Sequence, residues 1–447
     1  MVDFIAYQLL QHGVLPNTTI AIVCHSKFLL MTLLHAIPIL GCRIFPLPFH
    51  FNSEILQQLL ITARINCLIT DSITINKHPK VLIIDARQLN INVTQINPYV
   101  NYSRALTLKD IMLFIATSGS SANPKIVMLS GDNIAAAVTA VRERISLQTT
   151  DRWLLCLPLY HIGGIAIVHR CTQAGAVVVI SDNSDGAAIA QALITHRCTH
   201  VSLVPAMLAR LLKVIPKPPS YLRYALIGGA ALHSSLAQVA IAQGWPLCIS
   251  YGMSETCSQI ATLCNPDQNW PGQLVGMPLS GIQVRIDHTS GCIQVRGKML
   301  MVGYSNPQGY SDVYIDENGW FTTNDLGYID ANGQLWITGR ADQVLNSGGV
   351  KVHPEQIENL LQSCPNIVEV SIGGRCDPIW GEIIVAVYVG TAEPIAVETW
   401  CRQHIQSSIR PRIFIKVDRL PRTSLEKIDR NALRALYSTY RTNNSHD

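Results

Sequence analysis

A run of hydroxyl side chains followed by a lysine is the first part of the sequence that could do chemistry. The segment FIATSGSSANPKIVMLS, residues 114–130, begins as an apolar strand, then gathers Thr117 and several serines, and reaches Lys125. Hydroxyls and backbone N–H groups donate hydrogen bonds to phosphate oxygens, and a lysine supplies positive charge. The segment therefore predicts either a phosphate-binding loop or an ordinary polar surface turn, and the loop alone does not separate the two.

A carboxylate at the end of a second predicted strand could hold a metal ion. In ISYGMSETCSQIATL, residues 249–263, a strand ends, Gly252 permits a tight turn, and Ser254 and Glu255 follow. A carboxylate beside a hydroxyl can hold Mg²⁺ on a nucleotide phosphate. A helix start capped by Ser254 explains the same residues equally well.

Three polar positions in the last third of the chain carry weaker signals. We expect Asp325 to lie in a turn after a strand, where a carboxylate can accept both hydroxyls of a ribose, and Arg340 could then reach ribose or phosphate. Taken alone, Asp325 is more often a plain turn residue. Lys427, in LPRTSLEKIDRNAL, is by itself more often a solvated lysine.

Length and composition predict a multidomain chain with a large core. A chain of 447 residues exceeds the size of one ordinary domain. Charged residues make up 14%, below the usual share of about 25%, and hydrophobic residues make up 48%. The formal net charge of +4 is small for this length and no basic tract stands out, so we expect no nucleic-acid partner.

The apolar runs and cysteines indicate a protein of the cytoplasm. The longest apolar run, residues 28–42, is shorter than the roughly 18 residues of a spanning helix and contains Pro38, so it predicts a buried helix followed by a strand rather than a membrane span. The first residues have neither a basic region nor a cleavage site of small residues. The 13 cysteines are scattered without a C-x-x-C, which predicts buried free thiols.

The pattern of apolar, polar and glycine residues changes twice along the chain. Short apolar runs alternate with amphipathic stretches through the first half, which predicts largely parallel sheets covered by helices. After about Gly276, alternating strands with glycine turns predict a small antiparallel or barrel-like unit. From Asp342 onward, helices and strands predict a separate α+β domain.

Together and in this order, the motifs resemble the adenylate-forming superfamily of acyl-CoA synthetases, firefly luciferases and peptide-synthetase adenylation domains. The matching motifs span nearly the whole chain: T-S-G-S-S-x-x-P-K, Y-G-M-S-E-T, D-L-G, G-R-x-D, S-G-G and K-I-D-R. The resemblance implies an α/β fold with a large N-terminal domain, residues 1–341, made of two α/β subdomains plus a small β-barrel. A smaller mobile α+β C-terminal domain, residues 342–447, would follow.

A finer resemblance points to one branch of this superfamily. The segments LPLYHIGGIAIVHR, THVSLVPAMLARLL and GMSETCSQIATL resemble the 2-succinylbenzoate–CoA ligase family of menaquinone or phylloquinone synthesis. The implied activity is an acid–thiol ligation with ATP, Mg²⁺, coenzyme A and a small carboxylic acid, and a homodimer is compatible with it. Another aryl- or acyl-CoA ligase, an enzyme that loads a carrier protein, and a degenerate AMP-binding protein are the alternatives.

The resemblance also assigns roles on the nucleotide side. The loop around the β- and γ-phosphates would comprise Thr117, Ser118, Gly119, Ser120, Ser121 and Lys125. The adenine and α-phosphate would meet Gly228, Gly229, Ala230, Tyr251, Gly252 and Ser254. Glu255 would hold Mg²⁺, and Asp325 with Arg340 would bind the ribose.

Further roles fall on the acid and on coenzyme A. The acid pocket would be lined by His161, Arg170, Ser202 and Gly229. Arg170 would pair with the second carboxylate of a diacid, or would be a purely structural arginine. Lys427 would bridge carboxylate and α-phosphate during adenylation, acting with Glu255 and His161 as the catalytic residues. Asp342 would be the hinge, and coenzyme A would meet Gly348, Gly349 and Trp380.

Three positions depart from the usual pattern of the superfamily. Ala122 stands where glycine is usual, Ile126 where a small residue follows the lysine, and Asn324 where glycine precedes the ribose aspartate. The first two changes would stiffen the phosphate loop. They bear on catalytic efficiency more than on identity, because every charged group is present.

Overall fold

The computed structural model of the chain describes residues 1–49, 53–71, 81–89, 105–117, 125–181, 183–306, 309–311, 315–422 and 428–439. Within these ranges the backbone forms four β-sheets covered by helices. The described helices are α1 Val2–Gln11, α2 Lys27–Ile39, α3 Ser53–Thr62, α4 Gly131–Arg144, α5 Ile162–Ala174, α6 Gly186–Thr195, α7 Pro205–Val214, α8 Ser234–Ala242, α9 Pro354–Leu361, α10 Pro394–His404 and α11 Arg430–Thr439.

The first sheet has eight strands. They are β1 Thr19–Val23, β2 Arg43–Pro46, β3 Cys67–Thr70, β4 Leu82–Asp85, β5 Ile111–Thr117, β6 Lys125–Ser130, β16 Gly303–Asn306 and β17 Gly309–Ser311. The order is β17-β16-β6-β5-β2-β1-β3-β4, and β1 to β5 pair with one another in parallel. β6 and β16 continue the sheet in antiparallel pairs, so the predicted phosphate loop connects β5 to β6 as a hairpin.

The second sheet has six strands. They are β7 Arg152–Leu155, β8 Val177–Ile180, β9 His200–Leu203, β10 Tyr224–Ile227, β11 Leu247–Met253 and β12 Ser258–Cys264. Five of them run parallel in the order β11-β10-β9-β7-β8, and β12 adds an antiparallel edge beside β11. Buried strands alternating with helices were predicted for this half of the chain, and the two sheets confirm the prediction.

Side-chain caps fix where several covering helices begin. Ser130 and Asn133 form a reciprocal capping box at the start of α4, and Asp185 accepts a hydrogen bond from the backbone of α6. The apolar run at residues 28–42 forms α2 followed by β2, as predicted, with Pro38 near the helix end. In the described part of the chain, no helix is both long and apolar enough to cross a bilayer.

The third sheet is small and antiparallel. Its strands are β13 Leu274–Gly276, β14 Gln283–Ile286, β15 Cys292–Arg296, β18 Phe321–Ile329 and β19 Leu335–Arg340, in the order β13-β19-β18-β15-β14. The small unit predicted after Gly276 is thus confirmed. One detail was wrong: Asp325 lies inside β18, opposite Arg340 of β19, rather than in a turn after a strand.

The fourth sheet belongs to the smaller C-terminal domain. Its strands are β20 Leu345–Ser347, β21 Val350–Val352, β22 Ile367–Asp377, β23 Gly381–Gly390 and β24 Ile413–Lys416. They pack with α9 and α10 around an apolar core of their own. The chain enters this domain through a short 3₁₀ turn, Ala341–Gln343. The predicted boundary between residues 341 and 342 stays a prediction.

The cysteines are free thiols, as predicted. All 13 lie in the described ranges, and all are buried except Cys264, which is half-buried, and Cys376, which is exposed. Burial raises the pKa of the Cys156 and Cys257 thiols to about 12, so they remain protonated at neutral pH. These side chains act as small apolar residues of the core.

Candidate active site

The segment of residues 251–259 contacts three separate groups of polar side chains. Tyr251 lies near the end of β11, a 3₁₀ turn covers Ser254–Thr256, and β12 begins at Ser258. The turn uses left-handed backbone at Cys257, with φ of 51°, and at Ser258, with φ of 112°. Positive φ is costly for residues with a side chain, so the surrounding structure must enforce this conformation.

Gly252 is needed for a reason other than the one predicted. It lies inside β11 opposite Gln259, and its φ is not among the positive values, so the tight-turn interpretation was wrong. A Cβ atom at this position would lie 1.6 Å from the carbonyl oxygen of Ser258. Close approach of β11 and β12 therefore demands a glycine, and this approach holds residues 253–258 in a compact turn.

The first group of polar side chains joins β11 to the third sheet. The Tyr251 hydroxyl donates to Oδ2 of Asp325 at 2.7 Å, and Nη1 of Arg340 lies 3.2 Å from Oδ1 of the same carboxylate. Burial and the Asp325 charge raise the pKa of Tyr251 well above 10. Asp325 is thus fixed in orientation and electrically balanced, as a carboxylate that accepts sugar hydroxyls should be.

Arg340 also holds the predicted hinge residue. Its Nε and Nη2 atoms each lie 2.9 Å from an oxygen of Asp342, and these hydrogen bonds raise the pKa of the guanidinium. Burial raises the pKa of Asp342, but the hydrogen bonds and charge of Arg340 outweigh burial and lower it overall. One guanidinium therefore connects the predicted ribose carboxylate to the start of the C-terminal domain.

The second group surrounds the start of β6. Thr117 and Lys125 are register partners across the hairpin, and the Thr117 hydroxyl donates to the Lys125 carbonyl at 3.2 Å. The Lys125 ammonium lies 5.1 Å from the ring centroid of Tyr304, whose hydroxyl donates to Oε1 of Glu255 at 2.8 Å. Lys125 and Glu255, predicted for phosphate and Mg²⁺, are thus brought to one tyrosine.

Some predicted residues cannot be placed. Ser118, Gly119, Ser120 and Ser121 of the phosphate loop lie outside the described residues, and so does Lys427. Their roles remain predictions.

Sequence reasoning did not identify Tyr304. The signal that could have found it is a tyrosine within an apolar run, because a buried tyrosine hydroxyl needs a hydrogen-bond partner.

The residues around Glu255 suit Mg²⁺ bound together with a nucleotide. Among the described residues no cluster of three or more histidine, cysteine or acidic side chains could hold a metal ion alone. Mg²⁺ in nucleotide sites usually keeps several waters and takes one or two carboxylates plus substrate phosphates. A single carboxylate with one oxygen held by Tyr304 fits that mode.

The third group centres on Arg170 in α5. This side chain is 4% exposed, and its Nη2 atom donates to the Ser258 hydroxyl at 3.0 Å. With the Gln259 amide turned to satisfy both sides, its oxygen accepts from Nη1 and Nη2 of Arg170 at 3.2 Å each. The guanidinium also lies 5.6 Å from the Trp153 ring centroid.

Arg170 is a buried cation whose described neighbours supply no carboxylate. Among the described residues, its guanidinium contacts the Ser258 hydroxyl, the Gln259 amide and the Trp153 indole, and its Nε has no hydrogen-bond partner there. Burial lowers the pKa of the guanidinium to about 10, which leaves it charged at neutral pH. A buried charge without an opposite charge is costly, so this position favours an anionic ligand.

The other predicted acid-pocket residues lie on neighbouring elements. Ser202 is buried in β9, where its hydroxyl accepts the Trp153 indole N–H at 3.1 Å. His161 forms the N-cap of α5 and packs edge-on against Tyr160. Gly229 has a φ of 80°, and a Cβ atom at Gly228 would come within 2.6 Å of the Ser250 hydroxyl. Ala230 is exposed next to them.

The residues predicted for coenzyme A meet in the C-terminal domain. The Gly348 N–H donates to the Trp380 carbonyl at 2.8 Å, and a Cβ atom at Gly348 would lie 2.7 Å from the indole ring. Gly348 and Gly349 have φ of 58° and 80°. Trp380 is 39% exposed and stacks beneath the Arg412 guanidinium at 4.0 Å. The three residues predicted to meet coenzyme A therefore form one exposed cluster.

Comparison with protein-family models decides the family. Residues 1–311 match the AMP-binding enzyme model, and residues 356–427 match the model of the AMP-binding enzyme C-terminal domain. The chain belongs to the AMP-binding enzyme family. The predicted superfamily and fold class are thereby confirmed.

Two relatives of this AMP-binding enzyme carry the same activity in their names. A 2-succinylbenzoate–CoA ligase of Bacillus licheniformis is 30% identical over 442 residues, covering 96% of this chain and 91% of the relative. One from Bacillus subtilis is 28% identical over 445 residues, covering 96% and 90%. These matches confirm the predicted likeness to the 2-succinylbenzoate–CoA ligase family.

Solved structures of the Bacillus subtilis o-succinylbenzoate coenzyme A synthetase share the fold. The complex with the acyl-adenylate intermediate OSB-AMP superposes with a TM-score of 0.88 at 27% identity, covering 97% of this chain and 91% of that one. The complex with ATP and magnesium gives 0.86 at the same identity, covering 97% and 92%. A double mutant bound to the product analogue OSB-NCoA gives 0.72, covering 97% and 91%. The chain thus superposes more closely on these two nucleotide-bound complexes than on the product-analogue complex.

Proposed function

We propose that the chain is an AMP-forming ligase that joins 2-succinylbenzoate to coenzyme A through an acyl-adenylate. The observation that carries the choice of acid is Arg170, a buried guanidinium with no carboxylate partner among the described residues. 2-Succinylbenzoate has two carboxylates, and one stays charged after the other is activated. A buried guanidinium is the natural counterpart of that remaining charge.

The first half-reaction makes a good leaving group. An oxygen of the acid attacks the α-phosphorus of ATP, the bond from that phosphorus to the bridging oxygen breaks, and pyrophosphate departs. Magnesium, when bound, neutralises phosphate charge. Lys125 and Thr117 would hold the outer phosphates, Glu255 would hold the metal, and Asp325 would hold the ribose, so the protein acts mainly by positioning and charge stabilisation.

The second half-reaction transfers the acyl group. The sulfur of coenzyme A attacks the acyl carbon, the carbon–oxygen bond to AMP breaks, and AMP leaves with the electron pair. The cluster of Gly348, Gly349 and Trp380 would receive coenzyme A. Withdrawal of Lys427 by rotation about Asp342 would separate the two half-reactions, and residues 342–447 would be the moving domain.

The deciding experiment is pyrophosphate exchange into ATP over a panel of acids. We expect exchange that requires Mg²⁺ and is fastest with 2-succinylbenzoate, followed by thioester formation when coenzyme A is added. Benzoate and other monoacids should be at least about 30-fold poorer, because they leave Arg170 without a charge partner. Exchange with monoacids alone would keep the ligase activity and reject the diacid.

The proposal also includes a cellular location and an oligomeric state. A location in the cytoplasm is supported by the soluble reactants and by the lack of a membrane-crossing helix in the described ranges. A homodimer is proposed on the family resemblance alone. Light scattering of the purified enzyme would test the homodimer, and a monomer at working concentration would reject it.

A further inference from the structure

We propose that Tyr304 is a positioning residue that sets the place of the metal carboxylate Glu255 and of the phosphate lysine Lys125 relative to each other. Its hydroxyl donates to Oε1 of Glu255 at 2.8 Å, and its ring carries the Lys125 ammonium at 5.1 Å from the centroid. This inference rests on the proposed function, because it assumes that these two residues meet ATP and its metal.

The backbone around Tyr304 is anchored on both of the elements it connects. Tyr304 is the register partner of Val127 in β6, close to the position of Lys125. The N–H of Met301 donates to the carbonyl of Glu255 at 2.8 Å, and the N–H of Val302 donates to Met128 at 2.9 Å. Strand β16 is therefore tied to the phosphate hairpin on one side and to the Glu255 turn on the other.

Neighbouring side chains limit movement of this strand further. Ser305 donates to the carbonyl of Thr62 at 2.9 Å, and the Asn133 amide donates to the carbonyl of Lys298 at 2.8 Å. Tyr304 itself is 7% exposed. A buried ring on an anchored strand has little rotational freedom, so it can act as a rigid spacer between two flexible charged side chains.

The two contacts constrain the charged groups in different ways. A hydroxyl that donates to Oε1 restricts where the Glu255 carboxylate can lie. A cation above an aromatic face is attracted by the ring without giving up its charge. The ammonium of Lys125 thus keeps its positive charge for phosphates while its position is restricted.

Paired substitutions separate these two contacts. Tyr304→Phe removes the hydroxyl and keeps the ring, so we expect Mg·ATP binding to weaken roughly 10- to 30-fold, the size of one lost hydrogen bond to a charged group. Binding of ATP in the presence of EDTA should change less than twofold. Tyr304→Leu removes the ring as well, so it should weaken binding of ATP with and without magnesium.

Calorimetry of nucleotide binding gives the readout without turnover. The matched control is Tyr388→Phe, since the Tyr388 hydroxyl donates to the Ala392 carbonyl inside the C-terminal domain. The control should bind Mg·ATP like wild type. Thioester formation from supplied acyl-adenylate should change less than twofold in Tyr304→Phe, because that step uses no ATP.

The outcomes decide the proposal whatever the acid proves to be. Wild-type Mg·ATP affinity in Tyr304→Phe, or equal losses with magnesium and with EDTA, would overturn the positioning role. If Tyr304→Leu does not fold, Tyr304→Phe still gives the answer. Because no acid enters the binding measurement, failure of the 2-succinylbenzoate assignment would show separately in the exchange assay.

Discussion

The hydroxyl of Tyr251 donates a hydrogen bond to Asp325 at 2.7 Å and so joins the second sheet to the third. Tyr251 lies near the end of the strand that leads to Glu255, and Asp325 pairs with Arg340 at the edge of the C-terminal domain. The contact therefore connects the turn that would hold the metal to the carboxylate that would hold the ribose.

We expect Tyr251→Phe to weaken ATP binding roughly 10- to 30-fold, because the ring remains and one hydrogen bond to a charged group is lost. The KM for ATP in pyrophosphate exchange measures the effect. Tyr328→Phe is the matched control, since Tyr328 lies in β18 together with Asp325 and is stacked on Trp336. An unchanged KM for ATP in Tyr251→Phe would mean that Asp325 is held well enough by Arg340 alone.

Arg170→Ala tests the choice of substrate. Leaving the second carboxylate unpaired in a desolvated pocket costs roughly 2–4 kcal/mol, so the preference for the diacid over a monoacid should fall about 30- to 1000-fold. The ratio of kcat/KM for 2-succinylbenzoate and benzoate gives this preference. If all acids lose activity equally and the melting temperature drops, Arg170 supports the fold and does not select the acid.

Lys427→Ala tests the separation of the two half-reactions. Lys427 lies outside the described residues, so this prediction rests on the sequence motif alone. Acyl-adenylate formation should fall by about 10² to 10³, the usual effect of removing one preorganised charge at a transition state. Thioester formation from supplied acyl-adenylate should stay near wild type. Equal losses in both steps would contradict a role confined to adenylation.

Glu355 should make the stability of the C-terminal domain depend on pH. Burial, and next the charge of Glu358, raise the pKa of its carboxyl from 4.5 to about 7. Its Oε2 lies against Gly339, where a Cβ atom would be 2.8 Å away, and His353 and Arg430 are nearby. Between these two pKa values the folded chain holds a proton that the unfolded chain releases, so stability falls as pH rises from about 4.5 to about 7.

Glu355→Gln removes this ionisation. The variant should melt at least about 5 °C above wild type at pH 8, because the raised pKa makes ionisation of Glu355 costly in the folded chain and each cost of about 1 kcal/mol shifts the midpoint of a small domain by roughly 4–8 °C. About one pH unit below 4.5 the two proteins should melt close together, because Glu355 is then mostly protonated in the unfolded chain as well as in the folded chain. Calorimetric scans at both pH values measure the difference in melting temperature. An equal increase at both pH values would mean that the variant packs better, and that the ionisation of Glu355 is not the cause.

Much of the fold and of the site could be predicted from short, continuous patterns in the sequence. Buried strands show as apolar runs, and caps such as Asp185 stand next to the helices they begin. Thr117, Lys125, Ser254 and Glu255 could be selected because each motif is local in sequence and its residue types fit one chemistry. Pattern reading also separated the antiparallel unit and the C-terminal domain, because periodicity and glycine spacing change there.

What only the tertiary structure decided is how distant segments meet. Glu255 and Tyr304 are far apart in sequence, and so are Arg170 and Gln259, yet each pair forms a direct contact. Gly252 is glycine because another strand approaches it, and Asp325 lies in a strand because Arg340 pairs with it. Sequence patterns report local backbone preference and burial, whereas these contacts arise from how sheets pack, a property of the whole chain that no local pattern encodes.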